Sequence, residues 1–331
     1  RRPGGGRRAV PGKLLRKLRQ PLLSLLRTSL TVRPPANICR GHSKGEWIMS
    51  YETVAIRSHG WEAQIAPTYG ANPVSLQHHG QDILVPWSED IRDPFLCGAP
   101  LLPANRTAGG KFVFGGKEYT LPVNDGFRCA NLHGDLYHQT FRVTERQEDQ
   151  LTLCYENTGE IFPFPFRIRV TYQAGQRGFL SAYTIENPSE DPIPLSFGLH
   201  TTFREPDWFS VPLDSCQEKD SRHIPTGKYI PLDAQEQLYR IGSKSCGMAI
   251  SGFYRSAGNT AYIGKDIRYQ ITGFDHWILY NGGGSGGYLC VEPQLGGVNS
   301  LNDRNHCPLI PGKGAVHLET LIALSDCTDF R

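Results

Sequence analysis

From Tyr51 onward, apolar and polar residues exchange every second position in short runs separated by turn residues. In residues 51–57 (YETVAIR), Val54 and Ile56 alternate with polar neighbours, and Ser-His-Gly leads on to Trp61–Ala66 (WEAQIA). A two-residue period marks a half-buried strand, because successive side chains of a strand point to opposite faces. The same grammar recurs at Lys111–Phe114 ahead of Gly115-Gly116, then at residues 117–121, 140–144, 150–155, 166–172 and 179–186. Residues 269–272, 277–280 and 288–292 and Ala315–Leu324 continue it. Helical periodicity is confined to the first 45 residues, and no fixed-period repeat suggests a propeller or solenoid. Pro-rich joints at residues 163–165 (PFP) and 188–194 (PSEDPIP) are expected at strand entries, edges or connections, since proline cannot donate to a ladder. The pattern predicts an all-β protein, a large antiparallel β-sandwich filling residues 49–325 as one domain, with a short tail at 326–331.

Composition agrees: 39% hydrophobic residues, 36 Gly and 24 Pro describe a turn-rich globular chain. The formal charge of +3 misleads, because residues 1–45 hold 12 of the 35 Lys and Arg and no acid. Removing those 12 leaves 23 cations against 32 acids, a balance of −9 that gives the body no charge-based case for nucleic acid or anionic membrane. No apolar run is long enough to span a bilayer. Residues 1–48 read as a basic leader containing KLLRKLRQPLLSLLR. Pro21 and scarce serine count against a mitochondrial presequence, and interrupting charges count against a signal peptide. Residues 44–49 (KGEWIM) can be encoded with a purine-rich ribosome-binding sequence just before the Met49 codon, so Met49 is the expected start and the bacterial cytoplasm the expected location.

Nine scattered cysteines without a C-x-x-C suggest reduced, mostly buried thiols rather than a zinc ribbon or disulfide scaffold. Gly282, Gly284 and Gly287 spell G-x-G-x-x-G but run into a strand-like segment, so a hairpin loop is expected in place of a phosphate cradle. His133, Asp135 and His138, or His78-His79, lack a recognisable metal-ligand spacing, and no metal or cofactor is expected.

Four separated motifs carry the candidate chemistry: Pro103-Ala104-Asn105-Arg106, Asn131-Leu132-His133-Gly134, Phe197-Gly198-Leu199-His200-Thr201-Thr202-Phe203 and Val291-Glu292-Pro293-Gln294. Their order resembles the aldose 1-epimerase (galactose mutarotase) family, as do Gly98–Pro103 (GAPLLP), residues 109–121 and the Leu-Ile-Pro-Gly before the last strand. The resemblance implies a galactose mutarotase-like supersandwich that binds a free aldohexose without a cofactor. It also implies that Glu292 is the general base, His200 the general acid, and Arg106, His133, Asn105 and Gln294 substrate-binding groups. Anomer exchange needs a proton taken from O1 and one delivered to the ring oxygen O5, work suited to a carboxylate and an imidazole. Taken singly, His200 reads as a satisfied core histidine, Arg106 as a partner for a carboxylate and His133 as the anchor of a turn, whereas an inward Glu292 would need a partner or a function.

Two departures leave the sugar open. The family's acidic residue between the His and the Glu has no counterpart in residues 249–253 (AISGF), and Thr201-Thr202 replace the aromatic that follows the His. A sugar-phosphate 1-epimerase would need a cationic pocket, for which Arg92, Arg128 and Arg204 are available. A non-catalytic carbohydrate-binding sandwich would keep a cleft with aromatics such as Trp277 or Trp208. The oligomeric state is not legible.

Overall fold

Phe166–Gly175 (FRIRVTYQAG) buries every second side chain, Phe166 through Ala174, and turns Arg167 and Arg169 outward. Its alternation makes it a central strand of the larger sheet in a computed structural model that describes residues 52–87, 97–303 and 306–325. That eight-stranded antiparallel sheet runs Arg142–Arg146, Gln150–Asn157, Phe166–Gly175, Gly178–Glu186, Ala315–Leu324, Ile267–Thr272, Thr260–Ile263 and Phe209–Ser210. Its edge strand Arg142–Arg146 (RVTER) is exposed along its whole length, and charge on such an edge discourages pairing with another chain.

A seven-stranded sheet lies against it, in the order Pro225–Pro231, Leu213–Lys219, Ser251–Ser256, His276–Tyr280, Tyr288–Leu295, Phe197–Arg204 and Gly98–Leu101. One continuous core unites the inner faces: Ile168, Tyr183, Tyr269 and Leu318 from the first sheet with Phe197, Leu199, Trp277, Leu279 and Val291 from the second. Thr201 Oγ1 and Tyr269 Oη, 2.9 Å apart, hydrogen-bond across that core. A four-stranded meander from Val54 to Asp82 adds Ile56, Trp61, Ala63 and Leu76, and accepts at Ala71 O a hydrogen bond from Tyr172 Oη of 2.8 Å.

The all-β antiparallel expectation holds, and Trp61–Ala66, Lys111–Phe114 and Ala315–Leu324 have the expected bounds. The glycine run containing Gly282, Gly284 and Gly287 connects two paired antiparallel strands, as a hairpin loop does. Ala234–Ile241 is a helix that periodicity failed to reveal; at eight residues its apolar stripe is too short to register. Its capping box was present in the sequence: Asp233 accepts from Glu236 N, and the Glu236 carboxylate accepts from Asp233 N. Thiol burial is narrower than expected, since of seven free thiols among the described residues Cys97, Cys216 and Cys290 are buried while Cys129 and Cys246 are exposed. Trp277 is not a cleft aromatic; the alternation of its strand turns it into the sandwich core, where it donates to Ser256 Oγ. The leader 1–48, the tail 326–331 and Arg92 lie outside the described residues. No helix among the described residues is long and apolar enough to cross a membrane.

Candidate functional site

Strands Tyr288–Leu295 and Phe197–Arg204 pair at Leu295–Phe197 and Gln294–Gly198, and again from Cys290–Thr202 onward. The register keeps one offset across the gap, so Glu292 stands opposite His200. Pro293, which has no N–H to give the ladder, falls within the unpaired stretch. Because Leu289, Val291 and Leu199 belong to the core, alternation sends Cys290, Glu292, Gln294, His200 and Thr202 to the other face of the sheet. There His200 Nε2 lies 3.6 Å from Glu292 Oε1, with both residues only 4% exposed.

Burial sets their protonation. It pushes the Glu292 carboxyl up to about 8, with the positive charge of Arg106 acting in the opposite direction. It pushes His200 down to about 4. A carboxylate loses more from desolvation than the distant guanidinium returns, and an imidazolium is disfavoured in the same dry setting. Burial thus favours the neutral form of each group.

The other predicted residues reach the same place from a loop-borne ribbon. Arg106–Ala108 pairs with Ala130–Leu132, which brings Asn105 and His133 together at its end, where His133 N donates to Asn105 O at 2.7 Å. Asn105 and His133 both have positive φ, 51° and 65°, a conformation uncommon outside glycine and held here by the surrounding ribbon. Gly134 then passes so close to Leu102 that a Cβ would sit 2.0 Å from Leu102 O. That contact excludes any side chain and fixes the His133 turn against the sheet. The His133 ring meets the His200 ring edge-on at 5.2 Å, and burial first, then the charges of His200 and Arg106, hold its pKa well below the usual range. Arg106 donates to Asn105 Oδ1 at 3.0 Å and has Asp125 Oδ2 at 4.0 Å. Gln294 is buried and donates to Gly296 O. All six predicted site residues thus converge on one face of the seven-stranded sheet.

Several neighbours were not anticipated. Phe253 and Ile278 continue the Glu292 row across two strands, since Phe253 pairs with Ile278 and Ile278 with Glu292. Lys219 and Arg106 both lie over the Phe253 ring, 5.0 and 5.6 Å from its centroid. Beyond Gln294, the Cα partner of His276, an open pocket of about 570 Å³ has Tyr229, Arg255, Asp275, His276 and His306 in its lining. His276 bridges Asp275 and Tyr229 there, at 2.8 and 2.6 Å. For metals, the ligand atoms of His200, Cys290 and Glu292 lie within 4.8 Å of one another, a buried donor set that periodicity could not reveal. Asp135 and His138 instead pair with each other at the surface, 2.6 Å apart, so the sequence-adjacent histidines part company.

The same fold occurs in a galactose mutarotase-like protein from Clostridium acetobutylicum, 21% identical, with a TM-score of 0.76 over 83% of this chain and 96% of that one. It occurs also in a GalM/aldose epimerase homologue from C. elegans, 19% identical, with a TM-score of 0.70 over 83% and 99%. In sequence, the chain is 28% identical over 105 residues to the uncharacterized Escherichia coli protein YphB, covering 31% of this chain and 36% of that relative. It is 26% identical over 175 residues to the uncharacterized Escherichia coli protein YihR, covering 52% of this chain and 54% of that relative. The model of the aldose 1-epimerase family matches residues 52–307, and with that the chain belongs to the aldose 1-epimerase family.

Proposed function

We propose that the protein interconverts the α and β anomers of an aldose, with Glu292 as general base and His200 as general acid. The observation that carries this reading is their 3.6 Å approach on the buried outer face of the sheet. One proton leaves O1 and one arrives at O5, and both oxygens are bonded to C1, so acid and base work on neighbouring atoms.

In the opening step the Glu292 carboxylate takes the O1 proton, the C1–O1 bond becomes a carbonyl, and the C1–O5 bond breaks. Its electron pair goes to O5, which takes the proton of the His200 imidazolium. Rotation about C1–C2 presents the other carbonyl face, and the reverse transfers close the ring to the other anomer. The form that burial favours, a carboxyl beside a neutral imidazole, is that of the opened aldehyde. The opening step starts from the other form, with the proton on His200. Arg106, which favours the Glu292 carboxylate, helps in that direction. Arg106, His133, Asn105 and Gln294 hold the ring and its hydroxyls, and Gln294 can also fix the Glu292 strand through Gly296.

The test is the relaxation of optical rotation after dissolving α-D-glucose or α-D-galactose, with parent protein, Glu292→Gln and His200→Asn. Acceleration by the parent that collapses in both variants supports the assignment. A folded parent that accelerates neither these sugars nor the charged sugars considered next overturns it.

A further inference from the structure

The row of side chains Phe253, Ile278, Glu292 and His200 crosses four neighbouring strands. At the usual strand spacing Phe253 lies about 10 Å from Glu292, roughly the reach from an anomeric hydroxyl to a substituent at the far end of a hexose. The acidic residue that the family resemblance leads one to look for in residues 249–253 has no counterpart there, and the ring of Phe253 at the end of that stretch carries two cations, Lys219 and Arg106.

These cations are poorly neutralised. Lys219 donates to Ser251 O and forms no ion pair among the described residues. Its pKa is lowered by burial and, in part, by the charge of Arg106, while Cys216 and Glu236 act the other way. Glu236 is already committed to its helix cap and to Tyr254 Oη. Arg106 keeps a buried Nε without a hydrogen-bond partner among the described residues. Its nearest carboxylate, Asp125, is shared with Arg128, which it binds at 3.1 Å. The pKa of His223 is lowered by burial and then by the charges of Lys219, Arg106 and Arg128. Asp220 also acts there, but Arg222 binds it at 3.0 Å. Of the three arginines that the sequence offered for an anion pocket, only Arg128 belongs here; Arg204 is tied to Asp82, and Arg92 lies outside the described residues.

We infer that the substrate is an aldose carrying an anionic group, a carboxylate or a phosphate, at the end remote from its anomeric carbon. Lys219 and Arg106 bind that group over Phe253, and Arg128, joined to Arg106 through Asp125, forms the rim. The inference rests on the epimerase reading above and sharpens it to a substrate class. A hydroxyl could accept from either cation, but two half-buried cations, Lys219 without an ion pair among the described residues and Arg106 with only a carboxylate that Arg128 also binds, leave positive charge that an anion compensates best. The aromatic face holds the cations in place until it arrives.

The experiment measures kcat/KM for anomer exchange by NMR with glucose, glucose 6-phosphate and glucuronate at equal pH and ionic strength, beside calorimetric binding of each sugar. An anionic sugar should exceed glucose by about tenfold or more, and the advantage should shrink with added salt. Phosphate outrunning carboxylate, or the reverse, identifies the group. Lys219→Gln should cut the anionic-to-neutral ratio by about tenfold, and Lys219→Arg should restore most of it. Equal kcat/KM on all three sugars, or an equal loss on all three in Lys219→Gln, overturns the inference while leaving the epimerase standing. Binding of an anionic sugar that Lys219→Gln weakens, without exchange of any sugar, overturns the epimerase and keeps the anion site.

Discussion

His200 Nε2 and Glu292 Oε1 meet at 3.6 Å because the register of two central antiparallel strands sets the two residues opposite each other on the face that does not join the core. A pair that moves two protons in concert should fail as a unit. Glu292→Gln and His200→Asn are each expected to lower kcat by roughly a hundred- to ten-thousand-fold, and the double variant should lose little more than the worse single. Simple multiplication of the two losses, measured by anomer exchange, would show that they act independently.

The pH profile follows from the directions of the two shifts. With His200 pushed down to about 4 and Glu292 up to about 8, the free pair carries one proton between those values, two below and none above. One proton is what the opening step requires, so kcat/KM should be level across that window and fall on both sides. The limbs belong to the coupled pair and not to either residue alone. In Glu292→Gln the alkaline limb should vanish from whatever activity remains; its persistence would assign it elsewhere.

Stability should reveal the cost of burying this acid. Glu292 has a folded pKa near 8, above the ordinary 4.5, so between those values the folded state holds more protons than the unfolded one. Stability therefore declines as pH rises through that window, and the penalty is complete above about 8. Glutamine does not titrate. Thermal unfolding should find Glu292→Gln matched with the parent near pH 4.5 and more stable by on the order of a few kcal/mol above pH 8. A difference that does not grow with pH would mean that the carboxyl is not desolvated as the fold suggests.

The sequence disclosed the fold wherever one side of a strand faces water. Phe166–Gly175 advertises its alternation, whereas Phe197–Arg204 is buried on both sides from Phe197 to Phe203 and shows no period, because loops cover the site face. That strand was legible only through the motif containing His200. Leu213–Lys219 hides for another reason: bulges near Asp214 and Glu218 shift its register and break the pattern. Lys219 is invisible as a site residue because its meeting with Phe253 joins two neighbouring strands 34 positions apart, a relation created by the sheet alone. The six named residues could be put forward only because their motifs keep an order along the chain where periodicity gives no signal.

Gly134 tests how firmly the His133 turn is held. With φ of 62° and Leu102 O 2.0 Å from a would-be Cβ, Gly134→Ala must move backbone, and His133 with it. Gly115, at φ 57° in the turn after Phe114, has nothing within 4 Å of its Cβ and serves as the control. Gly115→Ala should cost only about 1 kcal/mol with normal activity, the ordinary strain of a left-handed alanine. Gly134→Ala should lower stability further and depress kcat/KM at least about tenfold, since small misplacements of a positioning group are costly. Equal behaviour of the two variants would remove His133 from the site.

Thr201 and Thr202 offer the sharpest test of which face does the chemistry. Adjacent in the chain, they point to opposite sides of one strand: Thr201 hydrogen-bonds Tyr269 across the core, and Thr202 Oγ1 lies 3.3 Å from His200 Nδ1. Thr201→Val removes one buried hydrogen bond of the sandwich and should cost about 1–2 kcal/mol in denaturant unfolding, with kcat and KM retained. Thr202→Val should instead alter the catalytic pH profile, because the imidazole loses the group beside its second nitrogen. If Thr201→Val disturbs the pH profile and Thr202→Val leaves it untouched, the assignment of faces is wrong and the proposed acid and base fall with it.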